Sequence, residues 1–450
     1  MRGTPIDYTT APVGRAVIML AVPMVMEMAM ESIFAIVDVF WVAHLGADAV
    51  ATVGLTESML TMIYTAAMGL SIGATALVAR RTGEQDHAGA ARAAGQSILL
   101  GVIVAALIAA IAAPLAPTLL GAMGASDDVI RTGSGFTRTM LGGNATIVLL
   151  FLLNAVFRGS GDAAIAMRVL VLGNALNIML GPCFIFGLGP FPELGVTGAA
   201  VATNIGRGTA VIYQIVTMAR GRGRVKISLS DLRLDLSIMT SVLRLSGSGT
   251  IQILIGTASY VGLVRILSIF GSAALAGYTI GIRIIVFALL PAFGISNAAA
   301  TMVGQNLGAG RPDRAEQAVW TAARYNMLFL GIVGIVFLVG AGAITALFTE
   351  DPAVRPFAIS CLRTVSLGFV FYAAGMVLTQ SFNGAGDTWT PTVINLFVFW
   401  LLEIPMAWWL SVHANLGPRG VFIALTIAYS MLAVVSGILF KRGDWKQKRV

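Results

Sequence analysis

The chain has 450 residues, of which 57% are hydrophobic and only 11% are charged. A soluble domain carries roughly 25% charged residues, so the composition excludes a soluble fold and indicates a membrane protein with many spans. The net charge of +8 does not indicate a nucleic-acid partner, because the basic residues lie in short loops between apolar segments.

Twelve segments are apolar and long enough to supply the roughly 20 residues that a helix needs to cross a bilayer. We therefore predict an all-α polytopic membrane protein. The spans cover approximately residues 15–41, 55–79, 94–120, 138–157, 168–189, 196–219, 240–269, 273–303, 318–348, 357–382, 390–412 and 420–440.

The lysines and arginines are distributed unevenly between the two ends of these spans. Of the 29, 21 fall on the side of the termini, five on the other side and three inside spans. Because loops rich in positive charge stay in the cytoplasm, this bias predicts a plasma (inner) membrane protein with both termini cytoplasmic. The five on the opposite side are Arg131, Arg138, Arg355, Arg363 and Arg419.

The chain contains an internal repeat. The motif F-R-G-S-G-D at 157–162 recurs as F-N-G-A-G-D at 382–387, a spacing of 225 residues. Each half has six spans and hence the same orientation, so we expect two six-helix lobes related by a pseudo-two-fold axis along the membrane normal. The predicted domains are an amino-terminal lobe, a basic cytoplasmic linker and a carboxy-terminal lobe, over 1–219, 220–237 and 238–450.

Three carboxylates lie in the first span. Glu27, Glu31 and Asp38 follow each other by steps of four and seven residues, which places them on one helical face together with Phe34. A carboxylate in hydrocarbon normally faces a bundle interior or a wet cavity, so these acids predict the wall of an ion pathway. The alternative is that the glutamates only pair with arginines or hydrogen-bond donors of neighbouring helices. Pro23 removes a helical hydrogen bond and is expected to act as a hinge.

The second half lacks these acids. At the repeat spacing the counterparts of Glu27, Glu31 and Asp38 are Gln252, Gly256 and Leu263. Since the second half keeps the scaffold without the acids, this asymmetry favours a functional role for the acids of the first half.

Other polar residues inside the spans have two interpretations. Asn174 and Asn177 share one face of the fifth span, and Thr203 lies in the sixth. They predict hydrogen bonds between helices or, for Asn177, an oxygen ligand for a cation. Met30 and Met62 suit the wall of an adaptable apolar cavity, and the alternative is ordinary packing or contact with lipid.

Glu403, an isolated acid in the eleventh span, is expected to pair with Arg265 or Arg283, and Arg207 to neutralise a glutamate of the first half. The histidines show no metal-ligand spacing, and the chain has no phosphate-binding glycine loop and no nucleophile motif. The sequence therefore predicts a protein that is not an enzyme and needs no cofactor.

The residues resemble the MATE (multidrug and toxic compound extrusion) family of the prokaryotic type. The resemblance covers nearly the whole chain and rests on the stretch Asp38–Gly46, the paired G-x-G-D turns and the stretch Phe184–Thr203. It implies two six-helix lobes with a central cavity that opens to alternate sides. It also implies antiport: export of cationic or amphipathic compounds, as in antibiotic resistance, in exchange for H⁺ or Na⁺.

The resemblance implies an ion site in the amino-terminal lobe. Asp38 and Asn177 match the family's ion-site residues and are the expected ligands for Na⁺, with Thr203 and Asn174 beside them. One departure is Gly181, where that branch usually has an aspartate, so Glu31 is expected to supply the second carboxylate. Pro23 matches the proline at which the first helix bends. The expected substrate cavity includes Glu27, Phe34, Met30 and Met62.

Two alternatives to an exporter remain at this point. A flippase for a lipid-linked precursor would need cationic residues such as Arg207, Arg265 and Arg283 to hold phosphate. The other is a membrane scaffold or channel without coupled transport. As partners we expect small cationic or amphipathic molecules and the lipid bilayer, with the protein acting as a monomer.

Overall fold

The computed structural model describes residues 6–448. The side chains of 34–36, 38 and 39 lie outside the described residues, so the predictions for Phe34 and Asp38 have no side-chain geometry. Regular structure in the described part is helical. The first half contains α1 (Val13–Ala43), α2 (Ala47–Gly83), α3 (His87–Ala112), α4 (Ala116–Ala122), α5 (Asp127–Gly142), α6 (Ala145–Ser160), α7 (Ala163–Phe186) and α8 (Val196–Ala219).

The second half has the same order of long helices. Two π-helical stretches, Leu396–Glu403 and Trp409–His413, continue α14 and α15 into a single span. The helices are α9 (Leu236–Leu267), α10 (Ser272–Gly308), α11 (Pro312–Ala346), α12 (Arg355–Ser366), α13 (Phe369–Gly384), α14 (Trp389–Asn395), α15 (Ile404–Trp408) and α16 (Pro418–Arg442).

Most of the predicted spans are apolar helices of membrane length. Ten segments of the described chain are long and apolar enough to cross a membrane, and α12 with α13, bent by 59°, forms an eleventh. Helix α8 has a suitable length of 24 residues but contains Asn204, Arg207 and Gln214, which lower its apolarity. With α8 counted, the helices follow the twelve predicted spans in order.

The chain forms two compact units whose boundaries fall inside helices. The amino-terminal unit comprises Met26–Thr82 and Asp86–Ser246. The carboxy-terminal unit comprises the chain through Val25, the short segment Gly83–Gln85 and the chain from Gly247 onward. The units therefore divide α1 after Val25 and α9 after Ser246. The lobe boundaries expected from the sequence stay a prediction.

The segment predicted as a linker, 220–237, is packed within the amino-terminal unit. Gln96 of α3 is buried, and its side-chain amide donates to the carbonyls of Asp231 (3.1 Å) and Arg233 (2.7 Å). Its Oε1 accepts from the backbone N–H of Asp235 at 3.1 Å. The buried Gln96 amide thus uses both its donors and its acceptor to hold the segment before α9 in place.

The repeated G-x-G-D turns contain a glycine required by close helix packing in each half. A Cβ added at Gly159 of α6 would lie 3.0 Å from the carbonyl oxygen of Thr75 in α2. At its counterpart in the repeat, Gly384 of α13, an added Cβ would lie still closer to the carbonyl oxygen of Ala300 in α10. The shared glycines therefore reflect equivalent helix crossings in the two halves.

We expect Gly384→Ala to lower the thermal stability of the purified protein more than Gly159→Ala. The added methyl at Gly384 meets backbone, so α13 must move away from α10, and such overpacking costs about 1–3 kcal/mol. Thermal unfolding in detergent, followed by tryptophan fluorescence, measures the difference. Equal unfolding midpoints for the two variants would contradict the closer helix packing at Gly384.

Candidate functional site

Glu27 lies in a buried hydrogen-bonded ion pair. Its side chain is 2% exposed, and its Oε1 accepts from Nη1 of Arg158 at 2.6 Å and from Nδ2 of Asn154 at 3.0 Å. Oδ1 of Asn154 in turn accepts from Nε2 of Gln214 at 2.6 Å. This arrangement favours the pairing alternative for Glu27 over a position in the substrate cavity.

Arg158 is a partner that the sequence analysis missed, because its motif places it at a cytoplasmic span end. The repeat contains a signal that would have found it. The counterparts of Glu27 and Arg158 are Gln252 and Asn383, so the second half lacks the acid and the base together. The two residues of a buried ion pair are expected to be present together or absent together, since either charge alone would be costly.

Glu31 faces a second arginine. Its Oε1 lies 3.8 Å from Nη2 of Arg207 in α8, and that nitrogen also donates to the hydroxyl of Tyr64 at 3.2 Å. Glu57 of α2, which the sequence analysis did not consider, interacts electrostatically with the same guanidinium. The prediction that Arg207 neutralises a glutamate of the first half is confirmed.

The asparagines of the fifth span both make contacts between helices. Helices α7 and α8 pack closely, since a Cβ on Gly206 would lie 2.5 Å from the carbonyl oxygen of Gly173. One turn further along α7, Nδ2 of Asn177 donates to Oγ1 of Thr203 at 2.7 Å, and both side chains are buried. Nδ2 of Asn174 donates to the Met30 carbonyl of α1 at 3.2 Å.

Two contacts define how α1 lies along α7. They join Met30 with Asn174 and Trp41 with Gly181, the second at 3.7 Å from a Cβ placed on the glycine. Both pairs advance in the same direction along the chain, so the helices run parallel. The backbone of Asp38 lies between the two contacts on α1, about 12 Å beyond Met30 at 1.5 Å per residue. Asn177 lies between them on α7.

The remaining predicted cavity residues differ in exposure. Met30 is partly buried, whereas Met62 on α2 has 77% of its surface exposed. Phe34 falls outside the described side chains. The substrate cavity expected at Met30, Met62 and Phe34 therefore stays a prediction.

Pro23 lies inside α1, close to the point where the helix passes from one compact unit to the other. Beside it, α10 approaches the α1 backbone closely, because a Cβ on Gly294 would lie 2.7 Å from the Val25 nitrogen. The part of α1 before the boundary is thus fixed by tight packing in the carboxy-terminal unit.

Glu403 is a second isolated buried acid, in the carboxy-terminal unit. It is 1% exposed, and its Oε2 accepts from Oγ of Ser259 at 2.8 Å. The expectation that it pairs with Arg265 or Arg283 is wrong, because its described partner is Ser259 and both arginines have exposed side chains with no ion pair to it among the described residues. Oε1 of Glu403 has no hydrogen-bond partner among the described residues.

A sequence model of the MatE family matches residues 23–183 and again residues 250–409. The chain belongs to the MatE family, the MATE transporters. It is 26% identical to the probable multidrug resistance protein NorM of Thermotoga maritima, over 97% of this chain and 94% of that protein. It is 24% identical to the FAD transporter of Shewanella oneidensis, over 96% and 95% of the two chains.

Solved MATE structures have the same fold as this transporter. A MOP superfamily transporter from Pyrococcus furiosus superposes with a TM-score of 0.91 at 26% identity, covering 100% of both chains. A MATE protein in the straight conformation gives 0.91 at 27% identity, also over 100% of both chains. The predicted fold class, an all-α membrane protein of twelve helices in two lobes, is confirmed.

We expect Arg158→Met to destabilise the transporter strongly, by about 3–5 kcal/mol, because it leaves the Glu27 carboxylate buried without a cation. Adding Glu27→Gln to this variant should restore most of the loss, since the double variant contains no buried charge at this position. Unfolding midpoints of the two single variants and the double variant measure this coupling.

The exposed pair Arg131–Asp128, with atoms 2.7 Å apart and side chains 78% and 70% exposed, provides the control. Its removal by Asp128→Asn should change stability by at most about 1 kcal/mol. Additive effects at Glu27 and Arg158 would show that the two side chains do not depend on each other.

We expect Glu403→Gln to leave stability and transport largely unchanged. No cation in the described part of the chain forms an ion pair with this carboxyl. The glutamine oxygen can still accept a hydrogen bond from Ser259. By contrast, Ser259→Ala removes the donor and should cost about 1–3 kcal/mol. Unfolding midpoints and uptake into liposomes compare the two variants. Complete loss of transport in a stable Glu403→Gln protein would show that the second half takes part in coupling.

Proposed function

We propose that this MATE transporter is a secondary active antiporter that exports cationic or amphipathic compounds in exchange for H⁺ or Na⁺. Relatives across nearly the full length are named multidrug resistance or multidrug export proteins, including MepA of Staphylococcus aureus at 21% identity. The basic residues of the loops support a plasma-membrane orientation with both termini cytoplasmic. The transporter acts as a monomer and needs no cofactor besides the coupling ion.

The observation that carries this proposal is the buried Asn177–Thr203 pair, at the level where α7 runs beside the Asp38 segment of α1. Polar groups are costly to bury inside a membrane helix, so those that are present mark ion pathways. Carboxylate, amide and hydroxyl oxygens are a suitable ligand set for a hard cation such as Na⁺. We assign the ion site to Asp38, Asn177 and Thr203, with Asn174 positioning α1.

Glu27 and Glu31 have different roles in this proposal. Each has an arginine within 4 Å, so its charge is already balanced. Glu31 lies closer to the ion site than Glu27 does, and its partner Arg207 also contacts Tyr64. Because Gly181 supplies no carboxylate, Glu31 modulates the site in its place. Asp38 is therefore the carboxylate that binds and releases the coupling ion.

Coupling follows from the cost of a bare charge in a poorly hydrated site. When water reaches Asp38 the carboxylate ionises and attracts H⁺ or Na⁺. Neutralisation removes the cost of burial, which allows α1 to bend at Pro23 and repack. Related MATE structures have been solved in a bent and in a straight conformation, which supports two states of this fold. A membrane potential supplies about 2.3 kcal/mol per charge per 100 mV.

The flippase alternative receives less support. It requires arginines available for phosphate, but Arg207 already contacts Glu31 and Tyr64. Arg265 and Arg283 have exposed side chains, and no hydrogen bond of either guanidinium is described. The exporter proposal needs no such arginines.

We expect Asp38→Asn to abolish gradient-driven export, because the amide keeps the shape of the side chain and removes the exchangeable charge. Export of a fluorescent cation from liposomes under a pH gradient, and separately under a Na⁺ gradient, measures this and identifies the driving ion.

Asn177→Ala should weaken the ion dependence of the same export about fivefold, the effect of one hydrogen bond or ligand contact. Glu31→Gln should shift the pH optimum with a smaller loss of rate.

Glu403→Gln serves as the matched control, since it also neutralises a buried carboxylate. Binding of the fluorescent cation to each variant separates loss of coupling from loss of folding. Full export by Asp38→Asn at every pH would refute the ion site, and failure of both gradients with the unmodified protein would refute antiport.

A further inference from the structure

Three arginines surround one crevice in the carboxy-terminal unit. The crevice has a volume of about 650 Å³ and lies at the start of α12 and of α16. Three of the five basic residues on the side opposite the termini thus gather around a single opening, although that side is otherwise poor in positive charge. The residues that line it include Arg355, Arg363, Arg419, Pro356, Ser360 and Thr364.

The charges of these arginines are not balanced by acids. None of the three forms an ion pair with a carboxylate in the described part of the chain. Arg355 donates from Nη2 to the Gly342 carbonyl at 3.0 Å, and Arg363 donates from Nε to the Leu338 carbonyl at 3.1 Å. Nε of Arg355 is buried and has no hydrogen-bond partner among the described residues. Since each guanidinium has five N–H donors, most of them remain available for a ligand.

Two helices begin at the opening and place two of the arginines there. Helix α12 begins at Arg355, and Arg419 is the second residue of α16. The backbone N–H of Arg355 already donates to the Asp351 carbonyl at 3.0 Å. That of Phe357 donates to the Val354 carbonyl at 3.1 Å, so the donors available to a ligand are those of the side chains. Three guanidinium groups around one opening fit a ligand with a concentrated negative charge.

The surface beside the crevice is apolar and exposed. Helix α11, which receives the Arg363 hydrogen bond, exposes 63% of Ile335 and 80% of Val339, and Leu347 just beyond its end is 83% exposed. In a membrane-spanning helix such a face contacts acyl chains. A free inorganic anion would use the arginines alone, whereas a phospholipid would use both the arginines and this face.

We propose that this crevice binds the phosphate of an anionic phospholipid, with its acyl chains along the exposed face of α11. Under the proposed orientation the lipid belongs to the non-cytoplasmic leaflet. The bound headgroup connects the short helix α12, which is bent by 59° from α13, to the start of α16. The lipid therefore stabilises the bent span of the carboxy-terminal unit, and the inference does not depend on the transported substrate.

The test uses the full-length protein, purified and delipidated in a neutral detergent. Phosphatidylglycerol, phosphatidylcholine or inorganic phosphate is added, and lipid binding and the unfolding midpoint are measured by native mass spectrometry and tryptophan fluorescence. We expect phosphatidylglycerol to bind and to raise the midpoint. The triple variant Arg355→Gln, Arg363→Gln, Arg419→Gln should bind it at least ~10-fold more weakly, because each basic residue near an anionic headgroup contributes to affinity.

The control replaces the two other arginines of the same side, Arg131→Gln with Arg138→Gln, and should retain the effect of phosphatidylglycerol. Arg419→Gln alone, whose guanidinium makes no described hydrogen bond, should still weaken binding if the triple variant fails to fold. Equal binding of phosphatidylcholine, retention of binding in the triple variant or an equal loss in the control would overturn the proposal. Protection by inorganic phosphate as strong as by phosphatidylglycerol would identify a free-anion site and overturn the lipid assignment.

Discussion

A carboxylate inside a membrane-crossing helix must be balanced by a cation, a proton or a hydrogen-bond donor, and this constraint determines where the polar residues of this transporter lie. Glu27 is balanced by Arg158, Glu31 by Arg207, and Glu403 by the hydroxyl of Ser259. Each solution joins two helices that are far apart in sequence. The polar contacts therefore fix helix positions at points where apolar packing alone would tolerate sliding.

The same constraint explains the asymmetry between the halves. The counterpart of Glu31 is Gly256, and the counterpart of its partner Arg207 is Leu432. Like the pair at Glu27, this one is absent as a unit from the second half. The absence of an acid from the second half is thus no proof that the acid has a function, because its arginine partner is absent as well. The argument from asymmetry for Asp38, whose side chain lies outside the described residues, is not changed by these two pairs.

The sequence alone predicted the fold well because the bilayer imposes simple rules on length and apolarity. The twelve spans follow from those rules, including the polar α8, and the 225-residue repeat follows from a motif that recurs in the sequence. The partners of the acids were harder to predict, since Arg158 lies at a span end and a one-dimensional pattern does not show that it turns inward. Glu403 was assigned to the wrong partners, because span membership does not tell which face of a helix an arginine occupies. Asn177 and Thr203 were paired correctly through a family resemblance rather than through spacing.

The division of α1 after Val25 and of α9 after Ser246 has a consequence for recombination between related transporters. The opening turns of each half belong with helices of the other half, and Gln96 attaches the segment before α9 to the amino-terminal unit. A chimera joined in the basic segment 220–237 would therefore combine α9 turns from one parent with packing surfaces from the other. Crossover points near Val25 and Ser246 keep each unit together apart from the short segment Gly83–Gln85. The structural units of this fold therefore do not coincide with the two halves of its sequence.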